Sequence, residues 1–190
     1  MAAVIRAARN VRLMPRRLPT PFHALARAII YQQLSGKAAG TIHTRLLDLF
    51  PRRRMTPEGL LGMPVLKLRS AGVSTNKAKA LKDLARKTRY GLVPGFAALR
   101  SLDDEAIVER LTQVHGIGRW TVEMLLIFQL GRPDVLPVND LGVRKGLMLA
   151  HGMKKMPADS TIVRRAEAWR PFRTVGSWYC WRATELMSRA

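Results

Sequence analysis

The chain has 190 residues, 47% of them hydrophobic, which suits one packed domain or two small lobes and excludes a disordered basic tail. Lys and Arg number 33 against 13 Asp and Glu, a formal net charge of +20; on a globular chain this points to a polyanion, most often nucleic acid, with a ribosome-associated or otherwise basic protein as the alternative. One cysteine, Cys180, excludes an intrachain disulfide and any four-cysteine zinc or iron–sulfur site, and no apolar run approaches the ~20 residues of a membrane span.

Met1 to Leu18 is basic and reads as one short helix broken at Pro15. No acidic residue precedes Asp48, and such a start can imitate a transit peptide. Against that, helical periodicity begins by Phe22, and Arg16-Arg17 suit a DNA-facing role equally well. Thr20-Pro21 is a helix start, an N-cap hydroxyl followed by proline at the first helical position. Phe22, Leu25, Ile29 and Ile30 share one face of that helix, which ends in Tyr31-Gln32-Gln33-Leu34. Ser35 caps the next, with Ala39, Ile42, Leu46 and Leu49 inward. Thr56-Pro57 repeats the cap-plus-proline signal. Leu66 to Gly72 predicts a short helix stopped by glycine. Ser74 or Thr75 caps a longer one, with Ala78, Leu81 and Ala85 in register. Pro94-Gly95 marks a loop. Ser101 with Asp104 resembles a capping box and predicts a helix ending at Val114.

The turn His115-Gly116-Ile117-Gly118 comes next, then a helix over about 119–130. Beyond Pro133 and Pro137, Asp140 starts a helix that His151-Gly152 ends. Asp159-Ser160 starts another, up to Trp169, and Pro171 opens the last, with Trp178, Tyr179 and Trp181 close together. No segment alternates with period two. The fold class is all-α, about ten helices with short links.

Several residues in this order have chemistry to offer. A Gly-x-Gly turn between helices leaves backbone N–H groups at a helix N-terminus with no side chain in the way, which suits one phosphate. Gly116 and Gly118 could hold it, through a bound monovalent cation or directly, with Arg119 beside them. The plainer reading is that glycine ends helices. Asp140 reads first as an N-cap, and that role is compatible with an ionised carboxylate held by the helix dipole. Trp120 and Met124 lie four apart on one helix face, by spacing alone a core stripe. Trp178 and Trp181 read the same way, although flat indole faces can also receive a base. Gln32-Gln33 reads as an exposed helix end or as a wedge into DNA. His23, His43, His115 and His151 lack metal-ligand spacing. Cys180, amid aromatics, reads as a core thiol.

Together these motifs resemble the helix-hairpin-helix (HhH-GPD) DNA glycosylase superfamily, and within it the 3-methyladenine DNA glycosylase II, or alkylation-repair, branch. The resemblance spans about Phe22 to Trp181. IIYQQLSGKAA resembles the wedge helix, with Gln33 at the intercalating position. AGVSTNKAKALKDLA resembles a supporting segment, VHGIGRWTVEMLL the hairpin and its second helix, and LPVNDLGVRKG the segment of the catalytic Asp, which falls on Asp140. AWRPFRTVGSWYCW resembles the C-terminal signature and puts Trp181 at a base-pocket position.

The resemblance implies two helical lobes, about 22–130 and about 1–21 plus 131–190, in a single domain of 1–190 with the active site in the cleft between them. It implies a base-flipping hydrolase that excises alkylated purines from damaged double-stranded DNA in base excision repair. Asp140 would be catalytic and Trp120, Met124 and Trp181 would form the base pocket. Gly116, Gly118 and Arg119 would grip a phosphate. No cofactor and no side-chain metal ligand are implied, nor a membrane; the protein would be a monomer of the bacterial cytoplasm or of a nucleus. Departures are visible. His115 stands where the family often has proline, and Met124 where some relatives have tyrosine. The resemblance leaves no room in these 190 residues for the β domain that precedes this region in some relatives, and none is expected. Trp120 occupies the position of the lyase lysine of bifunctional members, which implies no lyase activity, Lys145 being a poor substitute. The alternatives are a glycosylase for deaminated or oxidised bases, or a non-catalytic protein that binds DNA structure.

Overall fold

Thr20, Ser35, Thr56 and Ser74 each accept the backbone N–H three residues on, at 3.1–3.3 Å, and each opens a helix where the sequence puts one. The computed structural model describes residues 1–8, 13 and 18–187. In chain order the α-helices are α1 (Ala2–Ala7), α2 (Pro21–Tyr31), α3 (Gly36–Asp48), α4 (Pro57–Gly62), α5 (Val65–Ser70), α6 (Thr75–Arg89), α7 (Phe96–Arg100), α8 (Asp104–Leu111), α9 (Arg119–Leu125), α10 (Leu141–Ala150), α11 (Asp159–Ala166) and α12 (Arg173–Met187). No strand occurs among the described residues, so the all-α reading holds. The expected break at Pro15 and the Arg16-Arg17 pair lie outside the described residues. No described helix is long and apolar enough to cross a membrane.

Two compact units divide the chain, one of Arg17–Leu125 and one of Met1–Arg16 with Leu126–Ala190. In the first, α2 packs on α3, α6 and α9, and α4 and α5 pack on α6. Ile29, Ile30, Leu46, Leu60, Leu68 and Leu81 are fully buried there. Each contributes roughly 1.5–3 kcal/mol through the apolar surface it removes from water. Several cations serve this unit internally. Lys82 Nζ donates to the carbonyls of Leu61 and Met63, closing α4. Arg110 donates to Gly91 O at 2.7 Å and Leu92 O at 2.8 Å, just past the end of α6. Carbonyls at a helix C-terminus have no partner in their own helix, and a cation satisfies both their hydrogen bonds and the dipole.

In the second unit α10 packs on α12, around Val143, Leu147, Ile162 and Cys180. Met1, Leu136, Val138, Trp169 and Trp181 pack against that cluster. Burial pushes the Cys180 thiol up to about 12, which makes it an inert core thiol as expected.

Four differences from the sequence reading have local causes. Asp103, not Ser101, caps α8, accepting from Ala106 N–H at 2.7 Å; Ser101 instead closes α7, a short helix the loop reading passed over. The α8 helix ends at Leu111, and Val114 belongs to the turn beyond it. The helix expected over 119–130 is α-helical only to Leu125, and Leu126–Leu130 forms a π turn. Pro171 does not open α12. Its first turn starts at Arg173, where donors are satisfied from the loop before α10: Asp134 Oδ1 accepts Arg173 N–H at 3.2 Å, and Pro133 O accepts Thr174 N–H at 3.0 Å.

Candidate active site

Asp140 is the N-cap of α10. Its Oδ1 accepts Val143 N–H at 2.8 Å, so the capping reading is correct. The same oxygen accepts a second bond, from Trp181 Nε1–H on α12 at 2.7 Å. Two donors converging on one oxygen fix the rotation of the carboxylate. A charge-assisted bond of this kind contributes about 1.5–3 kcal/mol. Glycine makes the approach possible: a Cβ on Gly142 would stand 2.6 Å from Trp181 Cδ1 and 3.1 Å from Asp140 Oδ1.

Trp181 is held in turn by Phe128 of the π turn, with ring centroids 5.6 Å apart and planes at 25°. A π turn adds a residue to the helical repeat and rotates the residues beyond it. No periodicity in the sequence marks it. The loop between the π turn and Asp140 is pinned to α12. Arg173 binds both Asp134 oxygens, at 2.7 and 2.9 Å, and holds the Asp134 carboxyl below the usual carboxylate range. Thr174 Oγ1 donates to Arg132 O at 2.7 Å and accepts Val135 N–H at 3.0 Å.

The other expected residues belong to the unit Arg17–Leu125. Gly116 has φ +79°, and a Cβ there would meet Ala80 Cβ at 3.1 Å, so the turn requires glycine twice over. Gly118 differs: an added Cβ would meet nothing within 4 Å. The fold does not require glycine at 118, so any requirement comes from something outside the chain. Among the described residues the N–H groups of Gly116 and Gly118 have no hydrogen-bond acceptor. Arg119 is paired with Glu105 through both terminal guanidinium nitrogens, one at 3.0 Å. Both partners are more than half exposed, so solvent screens this pair and a phosphate can replace Glu105 at small cost.

Gln33 is exposed and left-handed, with φ +56°, immediately after the C-cap Gln32. Trp120 is 44% exposed, which rules out the buried core stripe that its spacing suggested; Met124 is half-buried. Among the described residues, no group of three or more His, Cys, Asp and Glu is placed to hold a metal. Sequence reasoning missed Phe128, the Trp181–Asp140 bond, and the roles of Gln32, Lys77 and Asp83 around the hairpin. An aromatic in the helix before the loop was the one available signal for Phe128.

Comparison with known proteins places this geometry among relatives. Residues 26–171 match the family model described as HhH-GPD superfamily base excision DNA repair protein. The chain is 41% identical over 167 residues to DNA-3-methyladenine glycosylase 1 of Schizosaccharomyces pombe, covering 87% of this chain and 73% of that protein. Its fold matches the structure of the S. pombe 3-methyladenine DNA glycosylase Mag1 in complex with abasic DNA, with TM-score 0.87, 37% identity, and coverage of 97% and 91% of the two chains. It also matches a DNA-3-methyladenine glycosidase from Bacillus halodurans, with TM-score 0.86, 31% identity, and coverage of 98% and 86%.

Proposed function

The chain belongs to the HhH-GPD superfamily of base excision DNA repair proteins, and from that premise we propose that it is a monofunctional DNA glycosylase that cuts the N-glycosidic bond of alkylated purines in double-stranded DNA. It acts wherever the chromosome is housed. The observation that carries the reading is the Asp140 carboxylate, locked at a helix N-terminus by the Trp181 indole. Its near relatives named as 3-methyladenine glycosylases support the substrate class.

DNA binds with the Gly116 and Gly118 amides and Arg119 on a phosphate, a contact that positions without reading sequence. The damaged nucleotide leaves the stack at a cost of a few kcal/mol, and Gln33 fills its place. A purine methylated at N3 or N7 carries positive charge. It leaves as a neutral base, taking the C1′–N electron pair, without a strong acid to protonate it. Trp120, Met124 and Trp181 are the residues assigned to the base, and an indole face attracts the cation by roughly 0.5–2 kcal/mol. Asp140 stabilises the oxocarbenium-like sugar and directs water to C1′. Oxygen bonds to C1′, the water's proton passes to the carboxylate or to solvent, and an abasic strand remains.

Incubation with methylated duplex DNA tests this. Free 3-methyladenine and 7-methylguanine are expected in the supernatant, with the strand intact until alkali and no adduct trapped by borohydride. Fastest release of uracil or 8-oxoguanine would overturn the substrate class, and a trapped adduct would overturn the monofunctional chemistry.

Trp181→Phe separates the two roles of that residue. The ring remains to stack on Phe128 and on a base, but the donor to Asp140 is lost. Single-turnover release is expected to fall about ten-fold or more, from a lost bond of ~1.5–3 kcal/mol to a charged acceptor. Binding to an abasic-site analogue should change much less. Equal losses in both measurements would assign Trp181 to binding alone.

A further inference from the structure

Lys77 looks, in a chain of net charge +20, like one more phosphate contact. Its ammonium is turned inward instead. Nζ donates to Ile30 O at 2.7 Å and to Gln32 O at 2.8 Å, a carbonyl in the last turn of α2 and that of its C-cap. These bonds flank the turn in which Gln33 takes φ +56°. A non-glycine residue in that region is strained and persists only where its surroundings hold it. Gln32 makes the next link, its Nε2 donating to Gly116 O in the hairpin at 2.9 Å.

The hairpin is tied to the same helix by a second set of bonds. Asp83 Oδ2 accepts His115 N–H at 2.8 Å and Lys87 Nζ at 3.0 Å, and Lys87 also donates to Gln113 O. Burial raises the Asp83 pKa, but the His115 amide and Lys87 outweigh it and hold the carboxyl below its ordinary value. Lys77 and Asp83 stand six residues apart on α6, about 9 Å along a helix axis. One rigid helix thus grips the Gln33 turn with one residue and the hairpin with another. A groove of about 210 Å³ lies along this arrangement, lined among others by Gln33, Asn76, His115 and Gly116.

We infer that Lys77 is a positioning residue: through α6 and Gln32 it fixes the spacing between the Gln33 turn and the hairpin, so that seating the hairpin on a phosphate and driving Gln33 into the stack become one event. The inference rests on the proposed entry of Gln33 into DNA. A lysine used in this way adds nothing to the number of phosphates neutralised. It matters only when a base has to be displaced from a stack.

Lys77→Met keeps the aliphatic stem and removes the donors. Binding to undamaged duplex, measured across a salt series, is expected to keep the wild-type log–log slope; loss of a phosphate contact would reduce that slope by about 0.9. The fluorescence rise of 2-aminopurine placed beside an abasic-site analogue should shrink on binding, because the neighbouring base is no longer unstacked. Single-turnover release of 7-methylguanine from paired duplex should fall on the order of ten-fold or more, and from a bulged, already unpaired lesion by less than about three-fold. Gln32→Leu cuts the other link without removing the half-buried charge, and should reproduce the pattern even if Lys77→Met folds poorly. A reduced slope, equal losses on paired and bulged lesions, or no loss in either variant overturns the inference. Absence of any base release by the wild-type protein would overturn the proposed function instead, while the 2-aminopurine signal would still decide the coupling.

Discussion

Asp140→Asn is expected to remove nearly all base release while leaving the fold and DNA binding in place. The substitution is unusually clean. Asn is as good an N-cap as Asp, and its side-chain oxygen can still accept both Val143 N–H and Trp181 Nε1–H. Shape and the two hydrogen bonds to Oδ1 therefore survive, and the negative charge is removed. In the proposed mechanism that charge interacts most strongly with the oxocarbenium-like sugar, so the loss is expected to fall on the transition state and not on substrate binding. Removing one such electrostatic stabiliser costs about 10²–10³-fold in rate, or ~2.7–4 kcal/mol. Single-turnover release, a melting curve and affinity for an abasic-site analogue are the three measurements. Wild-type rates in the mutant would remove Asp140 from the chemistry altogether.

How far the sequence went toward this site depended on the range of each interaction. The Asp140 cap closes on Val143, three residues away, and capping rules see that distance. Trp181 is 41 residues from Asp140, and nothing in either segment states that an indole N–H meets that carboxylate. The resemblance placed Trp181 in a base pocket. Its hydrogen bond to the carboxylate is a separate fact that depends on Gly142 leaving room. Local rules also failed where two local signals competed. Ser101 and Asp103 are both capping residues, and the carboxylate took the position because Ser101 lies in the last turn of α7, where its Oγ donates to Ala98 O.

Charge was the least resolved signal. The count of basic residues pointed correctly to a polyanion but could not divide them between DNA and the protein's own carbonyls. Lys77, Lys82, Lys87 and Arg110 all donate to backbone oxygens within one unit. The helix ends they satisfy are far away in sequence, so no window of residues shows the pairing. Trp120 shows the opposite failure. Its spacing with Met124 argued for burial, yet it is 44% exposed, and the same helix buries Thr121, Val122 and Leu125 instead.

Gly146→Ala is expected to be the most destabilising glycine-to-alanine change in this chain. Helix propensity alone argues the other way, favouring alanine by about 1 kcal/mol inside α10. Packing decides against it. The new Cβ would stand 1.9 Å from Cys180 O, 2.4 Å from its carbonyl carbon and 2.7 Å from its Cα. All three are backbone atoms of α12, so no side-chain rotation relieves the contact and the helices must separate by roughly 1 Å or more. Overpacking a core costs typically 1–3 kcal/mol and sometimes more, and this contact with rigid backbone belongs at the upper end, at ~3 kcal/mol net. For a chain of this length that lowers Tm by roughly 6–12 °C. Residue 181 follows Cys180 directly, so the displaced helix also carries Trp181 away from Asp140. Base release should therefore fall even at temperatures where the variant remains folded. Gly118→Ala is the control: its Cβ enters open space, so Tm should stay near wild type while affinity for DNA of every sequence falls. A Gly146→Ala variant melting within about 1 °C of wild type would mean that α10 and α12 can part freely, and the two-donor lock on Asp140 could not then be a rigid one.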